Sequence, residues 1–214
     1  MTPVHNTLID ALYPAMPWDV IDTVVFDVGN VLLRFDPAEL AAKVFPEDEQ
    51  ARRTVLRLAT GTPYWPMLDR GTLTLAEAPA RMAGRELDAI PALSRFMRGW
   101  QELPPIEEGI AFLRAARAHG KRVFILSNYN AEAYALVRAR YDFLRETDGE
   151  LISSTVGLLK PDPAIFRLAQ TRFHLEPART LFIDDSAANV EAALSLGWHA
   201  FWNSEPGKLS RFLG

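Results

Sequence analysis

Cysteine is absent from this chain of 214 residues, and histidine occurs only four times. Without thiols the protein has no disulfide bonds, thiolate metal sites or cysteine nucleophiles. The histidines do not have the spacing of metal ligands, so we assign no metal to them; they are His5, His119, His174 and His199. Thiol chemistry and a histidine metal centre are therefore excluded.

No sign of charge dominates the sequence, and no long hydrophobic run is present. The net charge is -4, with 23 basic residues scattered among 27 acidic ones, which disfavours binding to a polyanion. No apolar run approaches the length of a membrane span. The first 20 residues contain Asp10, Pro14, Pro17 and Asp19 and lack the apolar core of a signal peptide. We expect a cytoplasmic protein that binds neither nucleic acid nor a membrane.

Apolar, strand-like runs alternate with amphipathic segments from Val20 onward. The chain is 49% hydrophobic and long enough for one substantial core, or for a core that carries a smaller inserted domain. Strands separated by helices of this length predict an α/β fold with a parallel sheet and right-handed crossovers. The predicted strands are 20–26, 122–126, 151–156, 180–183 and 198–202, and the predicted helices between them are 106–118, 131–140, 163–173 and 187–196.

A long helical stretch interrupts this alternation between the first and second strands. Apolar residues recur there at helical spacing, which predicts helices over 37–45, 47–60, 75–84 and 89–100. Turn signals separate them, at Gly61-Thr62-Pro63, Asp69-Arg70-Gly71 and Pro91. The predicted organisation is an N-terminal extension (1–19), a core (20–35 and 105–214) and an inserted helical domain (36–104).

Asp27 ends the first predicted strand, within the run FDVGNVLL, and Gly29 and Asn30 follow it. In open α/β sheets, ligands collect at the carboxyl ends of the strands, which makes Asp27 a candidate functional residue. Taken alone, the same residues are also typical of an ordinary turn after a strand.

Three other strand ends or loops carry polar residues. Ser127 and Asn128 follow the strand RVFIL, where they are as typical of turn capping as of function. Lys160 precedes a helix, a place where lysine is usually solvated. Asp184 and Asp185 end the buried strand LFI, where adjacent carboxylates are costly unless a cation neutralises them. One N-cap and one solvated acid is the alternative interpretation of that pair.

In this order, with the helical insertion after the first strand, the motifs resemble the haloacid dehalogenase superfamily. The resemblance spans roughly residues 20–202 and implies a Rossmann-like, three-layer α/β fold in which 36–104 form a helical cap. Asp69-Arg70-Gly71, close to Trp65, is similar to the cap helices of the phosphatase branch. Trp65 itself is interpreted either as a substrate contact or as part of the cap core.

The resemblance and the side-chain chemistry together predict a magnesium-dependent phosphatase for a small phosphorylated metabolite. Phosphoryl transfer depends on positioning and charge neutralisation, and magnesium prefers oxygen ligands. Asp27 is the expected nucleophile, which forms an aspartyl-phosphate that water hydrolyses. The expected metal ligands are Asp27, the Gly29 carbonyl, and Asp184 or Asp185 or both. The expected substrate contacts are Asn30, Ser127, Asn128 and Lys160. Lys160 is also expected to assist catalysis. Asn189 is interpreted either as a residue that orients an acid or Lys160, or as a polar residue on a helix surface.

The chain departs from the superfamily pattern at Gly29, where most phosphatases have a second aspartate that acts as general acid and base. General acid–base catalysis is typically worth about 10²–10⁴-fold, so the loss should matter least for a stabilised leaving oxygen. Anomeric sugar phosphates, acyl phosphates and aryl phosphates have such oxygens. The form FDxGNV also resembles a bacterial subgroup that includes sugar 1-phosphate phosphatases.

Three alternatives belong to other functional classes. A non-catalytic phosphate- or partner-binding protein would keep the fold without turnover, although the retention of Asp27, Lys160 and both acids weighs against it. A metal-free dehalogenase has little reason to concentrate acids such as Asp184 and Asp185 near an attacking carboxylate. A phosphomutase is disfavoured because it needs the acid that is missing at position 29.

Overall fold

One parallel sheet of five strands organises the structure, a computed structural model that describes residues 18–205 and 207–209. The strand order is β3-β2-β1-β4-β5, which confirms the predicted α/β fold with a parallel sheet. Apart from Trp18 and Asp19, the expected N-terminal extension lies outside the described residues. The strands are β1 (Thr23–Phe26), β2 (Arg122–Ser127), β3 (Gly149–Ile152), β4 (Thr180–Asp184) and β5 (His199–Trp202).

Helices cover both faces of this sheet and produce three layers. Alternate side chains of β1 point to opposite faces, so that Val24 and Phe26 pack in one buried cluster and Val25 in another. The first cluster includes Phe112 and the second includes Phe166. The helices around the sheet are Glu107–Ala118, Ala131–Arg140, Pro163–Phe173 and Ala187–Ser195.

The boundaries of two strands differ from the predictions by more than one residue. The first strand begins at Thr23 rather than at residue 20, because residues 18–20 form a turn. The predicted strand 151–156 is shifted to Gly149–Ile152, and a 3₁₀ turn, Ser153–Thr155, follows it. Thr155 donates its hydroxyl to the Ile152 carbonyl at 2.7 Å, and such local bonds compete with a strand ladder.

Five α-helices lie between residues 36 and 104, in the region that the sequence predicts to be a helical insertion. They are α1 (Pro37–Val44), α2 (Glu49–Ala59), α3 (Tyr64–Arg70), α4 (Ala78–Ala83) and α5 (Ile90–Arg98), and the sheet helices listed above are α6 to α9 in chain order. Asp36 caps α1 by accepting the backbone N–H groups of Ala38 and Glu39. These five helices share a buried cluster that includes Leu68, Leu93 and Phe96.

Helix α3 was not predicted from the sequence, which has proline at positions 63 and 66. Pro66 is the third residue of the helix, where a backbone N–H has no intrahelical partner to lose. The helix ends at Gly71, whose φ of 76° lies in the left-handed region that favours glycine. Seven residues carry too weak a periodicity to be recognised in the sequence.

The strand order places the chain reversal between β1 and β4, at the centre of the sheet. Phe26 pairs with Ile125 of β2 on one side and with Ile183 of β4 on the other. The residues that follow these positions therefore meet at one edge, where doubly wound sheets bind their ligands. Within the described ranges, no helix combines the length and hydropathy needed to cross a bilayer.

We predict that Gly109→Ala destabilises the protein. A Cβ atom on Gly109, in α6, would lie 1.9 Å from the Val31 carbonyl oxygen. Helix propensity alone favours alanine over glycine by about 1 kcal/mol, whereas overpacking costs about 1–3 kcal/mol. Because the clash is with backbone, we take the upper end of that cost, and the expected net change is a free energy of unfolding lowered by about 2 kcal/mol, measured by urea denaturation.

The exposed Ala111→Gly in the same helix serves as the control for Gly109→Ala. It should lose only the propensity difference, about 1 kcal/mol. A Gly109→Ala protein as stable as the unaltered chain would contradict the contact.

Candidate active site

Asp27 lies directly after β1 and is 8% exposed. Its backbone N–H donates to the Ile183 carbonyl of β4 at 2.9 Å, so the residue is held by the sheet. Its Oδ1 accepts the backbone N–H of Val28 at 2.7 Å and lies 2.9 Å from Lys160 Nζ. Ser127, at the end of β2, donates its hydroxyl to the same carboxylate.

Lys160 joins two strand ends by bonding to two acids. Its Nζ lies 2.6 Å from Asp184 Oδ2 and 2.9 Å from Asp27 Oδ1, and its side chain is 1% exposed. Burial opposes the charged form, but the carboxylates of Asp184 and Asp27 outweigh it and raise the pKa of Lys160. The lysine therefore carries a fixed positive charge between the two acids.

The pKa of Asp27 is raised to about 6, in the opposite direction to what an ion pair alone would do. Burial is the largest cause; Lys160 opposes it, and the neighbouring Asp184 adds to it. At neutral pH the carboxylate is still ionised, so it remains available as a nucleophile. A cation near Asp27 and Asp184 would favour the ionised form further.

Asp184 is fully buried and is held from three directions. Its oxygens accept the Ser186 backbone N–H at 2.8 Å and the Asn189 side-chain amide at 3.0 and 3.1 Å, besides the bond from Lys160. The sequence predicts Asn189 as a residue that orients an acid, and the structure places it in contact with Asp184. Its role in catalysis stays a prediction.

Asp185 is partly buried and is held by the loop that follows β1. Asn30 donates its side-chain amide to Asp185 Oδ2 at 3.0 Å, and its amide oxygen accepts the Phe35 N–H at 2.9 Å. Burial raises the pKa of Asp185, against the hydrogen bond from Asn30. Both the amide nitrogen and the amide oxygen of Asn30 are thus bonded to protein groups. The predicted contact of Asn30 with substrate stays a prediction.

The Asn128 side chain forms two reciprocal bonds with the backbone of Lys160. The amide nitrogen donates to the Lys160 carbonyl, and the amide oxygen accepts the Lys160 N–H, both at 2.9 Å. This pair holds the loop that carries Lys160 against the end of β2. The side-chain amide is therefore occupied in positioning Lys160, and its predicted contact with phosphate stays a prediction.

Three carboxylates converge on a place that can hold a metal ion. One oxygen from each of Asp27, Asp184 and Asp185 lies within 4.8 Å of the other two. Three acids beside one lysine leave an excess of negative charge that a divalent cation would neutralise. Two backbone hydrogen bonds close the loop after β1: the Asn30 N–H donates to the Leu33 carbonyl, and the Leu33 N–H donates to the Val28 carbonyl. Neither bond uses the Gly29 carbonyl, the predicted metal ligand. The all-oxygen set fits a hard cation such as Mg²⁺.

A cavity of about 360 Å³ opens beside Asp27, between the sheet edge and the helical region. Trp65 and Trp100 stack in its wall with ring centroids 4.1 Å apart, and Phe35 packs edge-on against both. Trp65 also packs against the buried cluster of the helices, as its interpretation as a cap-core residue requires, and its contact with substrate stays a prediction. The wall nearest the reacting group is thus largely aromatic.

Asp69 lines the same cavity and is the residue that sequence reasoning missed. The sequence places it in a turn, whereas the structure places it in α3, four residues after Trp65 and on the same helical face. Burial, with the charge of Asp27, raises the pKa of Asp69 to about 7, although Lys160 acts in the other direction. The Trp65 and Asp69 spacing was a signal that could have identified this residue.

Comparison with known proteins places the chain in a family. Residues 21–197 match the haloacid dehalogenase-like hydrolases, and the protein belongs to this family. The predicted superfamily and the predicted class, a hydrolase, are therefore confirmed. The resemblance to the sugar 1-phosphate phosphatase subgroup stays a prediction.

Two curated relatives match most of the chain. The phosphorylated carbohydrates phosphatase of Thermotoga maritima is 26% identical over 83% of this chain and 82% of its own length. The sesquiterpene phosphatase astK of Aspergillus oryzae is 23% identical over 81% of this chain and 85% of its own length. With two other curated relatives, the matched segment spans a tenth and a third of their length.

A similar solved structure is that of a haloacid dehalogenase family enzyme from Bacteroides thetaiotaomicron. It is a variant with one aspartate replaced by alanine, in complex with magnesium and inorganic phosphate. The TM-score is 0.72 at 19% identity, with 91% of this chain and all of that chain covered. At this identity the comparison shows the shared fold.

We predict that Lys160→Met destabilises the protein strongly. The substitution leaves the buried acids Asp27 and Asp184 without their counter-charge, and breaking a buried pair in this way costs about 3–5 kcal/mol. The exposed Lys43→Met is the matched control, because its ion pair with Glu102 is solvated and worth about 1 kcal/mol or less. Urea unfolding in the presence of EDTA measures both; equal losses would contradict a buried ion pair at Lys160.

Proposed function

We propose that this protein is a magnesium-dependent phosphatase that hydrolyses a small phosphorylated metabolite through an aspartyl-phosphate on Asp27. The observation that carries the proposal is the meeting of Asp27, Lys160, Asp184 and Asp185 at one edge of the sheet, beside a cavity. The name of the Thermotoga maritima relative, a phosphatase of phosphorylated carbohydrates, agrees with it.

Each of these residues has a part in the proposed reaction. Asp27 attacks phosphorus with the carboxylate oxygen that Lys160 does not bind. Lys160 neutralises charge on the nucleophile and on the phosphate oxygens. The Ser127 hydroxyl, which is bonded to Asp27, is proposed to donate to the phosphate. Magnesium held by Asp27, the Gly29 carbonyl and the acids Asp184 and Asp185 would supply the remaining neutralisation of phosphate charge.

Residues 36–104 are proposed to act as the cap over a core made of 20–35 and 105–214. The helical region supplies Trp65, Asp69 and Trp100 to the cavity, while the sheet edge supplies Asp27 and Asn128. A closed cavity excludes water from the nucleophile and strengthens the electrostatic interactions within it. The cap therefore selects the group that is attached to phosphorus.

The aromatic wall favours a leaving group with a flat or apolar face. Stacked Trp65 and Trp100, with Phe35 against them, pack well on a ring or a hydrocarbon. Sugar rings and hydrocarbon chains both have such faces. Two relatives that match over most of their own length are phosphatases named for a carbohydrate and for a sesquiterpene, so a panel should contain both kinds of ester.

A non-catalytic binding function is the second candidate, and the buried charges weigh against it. Keeping Lys160, Asp184 and Asp27 out of water costs free energy that a hydrophobic core would not. A protein that only binds phosphate also has no use for a carboxylate beside the anion, because it repels the ligand. A nucleophile explains that carboxylate.

We predict that p-nitrophenyl phosphate is hydrolysed in the presence of Mg²⁺ and that EDTA abolishes the activity. Asp27→Asn should lower kcat by about 10³-fold or more, because it removes the nucleophile. Steady-state release of p-nitrophenol measures both effects. The exposed Asp142→Asn is the control and should retain full activity.

Acid-quench trapping of a phosphorylated protein with ³²P-labelled substrate provides a second measurement. The label should appear on the unaltered chain and not on Asp27→Asn. Unchanged turnover by Asp27→Asn, or equal turnover with and without EDTA, would refute the proposed chemistry.

A further inference from the structure

Position 29 leaves a place beside the nucleophile open. A Cβ atom built on Gly29 would lie 4.0 Å from Asp27 Oδ2 and meets no closer group. A side chain there would face the reacting carboxylate, so room for an acid exists and the sequence does not fill it. A phosphatase without this acid needs another proton donor for any leaving oxygen that is not already stabilised.

The residues around the cavity offer few donors. Its titratable lining residues are Asp27, Asp69 and Tyr129. Asp27 is the proposed nucleophile. Burial and the charges of Asp69 and Asp27 raise the pKa of Tyr129 far above neutrality, which makes it a poor acid. Asp69 is the remaining candidate.

We propose that Asp69, on the cap, is the general acid that position 29 lacks; this inference rests on the proposed phosphatase function. In an in-line displacement the leaving oxygen departs opposite the attacking one. With Asp27 attacking from the sheet edge, the leaving oxygen points into the cavity and toward the helices. Asp69 lines that cavity from α3, so its carboxyl is placed to meet the departing oxygen.

The proton balance uses Asp69 twice. In the first step an Asp27 oxygen forms a bond to phosphorus, the ester P–O bond breaks, and the Asp69 proton passes to the departing oxygen, which leaves as an alcohol. In the second step the Asp69 carboxylate takes a proton from a water molecule while the oxygen of that water attacks phosphorus. The bond between phosphorus and Asp27 breaks, phosphate is released, and both residues return to their starting states.

The backbone of α3 is fixed to the core around Asp69. Ser153, after β3, donates its hydroxyl to the Asp69 carbonyl at 2.5 Å. Gly71 lies against the Ser154 carbonyl, and a Cβ atom there would be 2.5 Å from the oxygen. A short helix end is thus held against the sheet edge, and the acid is positioned before substrate binds.

The electrostatic surroundings favour a protonated Asp69 near neutral pH. Burial opposes its charge, the Asp27 carboxylate adds repulsion, and Lys160 acts in the opposite direction; together they raise the pKa of Asp69 to about 7. Tyr129 is the other titratable group that faces it. Its carboxyl forms no hydrogen bond with another described residue, so its proton is available to a ligand in the cavity.

Asp69→Asn tests the proposal with a series of phosphate esters of increasing leaving-group pKa. We expect kcat/KM to fall by about 10²- to 10³-fold for alkyl esters and by about threefold or less for p-nitrophenyl phosphate, which needs no proton. The ratio kcat/KM reports the steps up to cleavage of the ester, so slower hydrolysis of the aspartyl-phosphate does not mask the difference. A purely structural role would lower both classes of ester alike.

Two further variants, a pH profile and a stability measurement accompany Asp69→Asn. Asp88→Asn removes an exposed acid from the same helical region and should change nothing. Gly29→Asp in the Asp69→Asn background should restore cleavage of alkyl esters, because it supplies the acid from the vacant position. The decline of kcat/KM for alkyl esters at high pH, where Asp69 loses its proton, should be absent from Asp69→Asn. Its urea midpoint at pH 8 should equal or exceed that of the unaltered chain, because a buried charge is removed.

The outcomes separate the two proposals. Absence of ester hydrolysis by the unaltered protein would overturn the phosphatase function and the role of Asp69 with it. Hydrolysis by the unaltered protein, with Asp69→Asn either fully active or equally impaired on aryl and alkyl esters, would overturn the role of Asp69 alone. A leaving-group-dependent loss that Gly29→Asp relieves would establish it.

Discussion

The ion pairs of Lys160 with Asp27 and Asp184 are the interaction on which the site depends. They join the end of β1 to the end of β4 with charges that are almost completely buried, at 2.9 and 2.6 Å. Such a cluster is stable only when every charge keeps its partner, because desolvation of each ion costs several kcal/mol. The neighbouring polar contacts follow from this constraint: Asn128 clamps the Lys160 backbone, and Asn189 and the Ser186 N–H satisfy the second acid.

The same cluster is unbalanced in charge, and the imbalance connects stability with function. Asp27, Asp184 and Asp185 bring three acids together against one lysine. Burial, together with this surplus of acids, raises the pKa of Asp27 and Asp185, and a hard cation would neutralise the excess negative charge. In the proposed function, the site binds a cation beside its surplus carboxylates and an anionic phosphate beside Lys160. Each ligand would neutralise charges that the fold alone leaves in excess. The protein gives up some stability to keep the reacting groups in place.

The helical region makes a different contribution from that of the sheet. The sheet edge holds the charged groups rigidly, whereas α3 and the turn after α5 bring Trp65, Asp69 and Trp100 over them. In the proposed function, the sheet edge supplies the groups that act on phosphorus, and the helices contact the group that is attached to it. Because glycine occupies position 29, near the nucleophile, we infer that the general acid is supplied by the helices rather than by the sheet edge. A proton donor on the helices lies in the same cavity as the aromatic wall, so both can contact the same leaving group.

The sequence by itself determined which polar residues meet. Apolar runs followed by polar residues, and a lysine in the loop before a helix, predicted a parallel sheet with Asp27, Ser127, Lys160, Asp184 and Asp185 at one edge. That inference works because strand periodicity is local and because parallel strands present their carboxyl ends together. Only the tertiary structure decided that Asn30 and Asn128 bind other protein groups, that the third strand begins at Gly149, and that Asp69 faces the cavity. Helix α3 is too short and too rich in proline to be recognised locally. Its position follows from contacts with Ser153 and Ser154, which are more than eighty residues away in the chain.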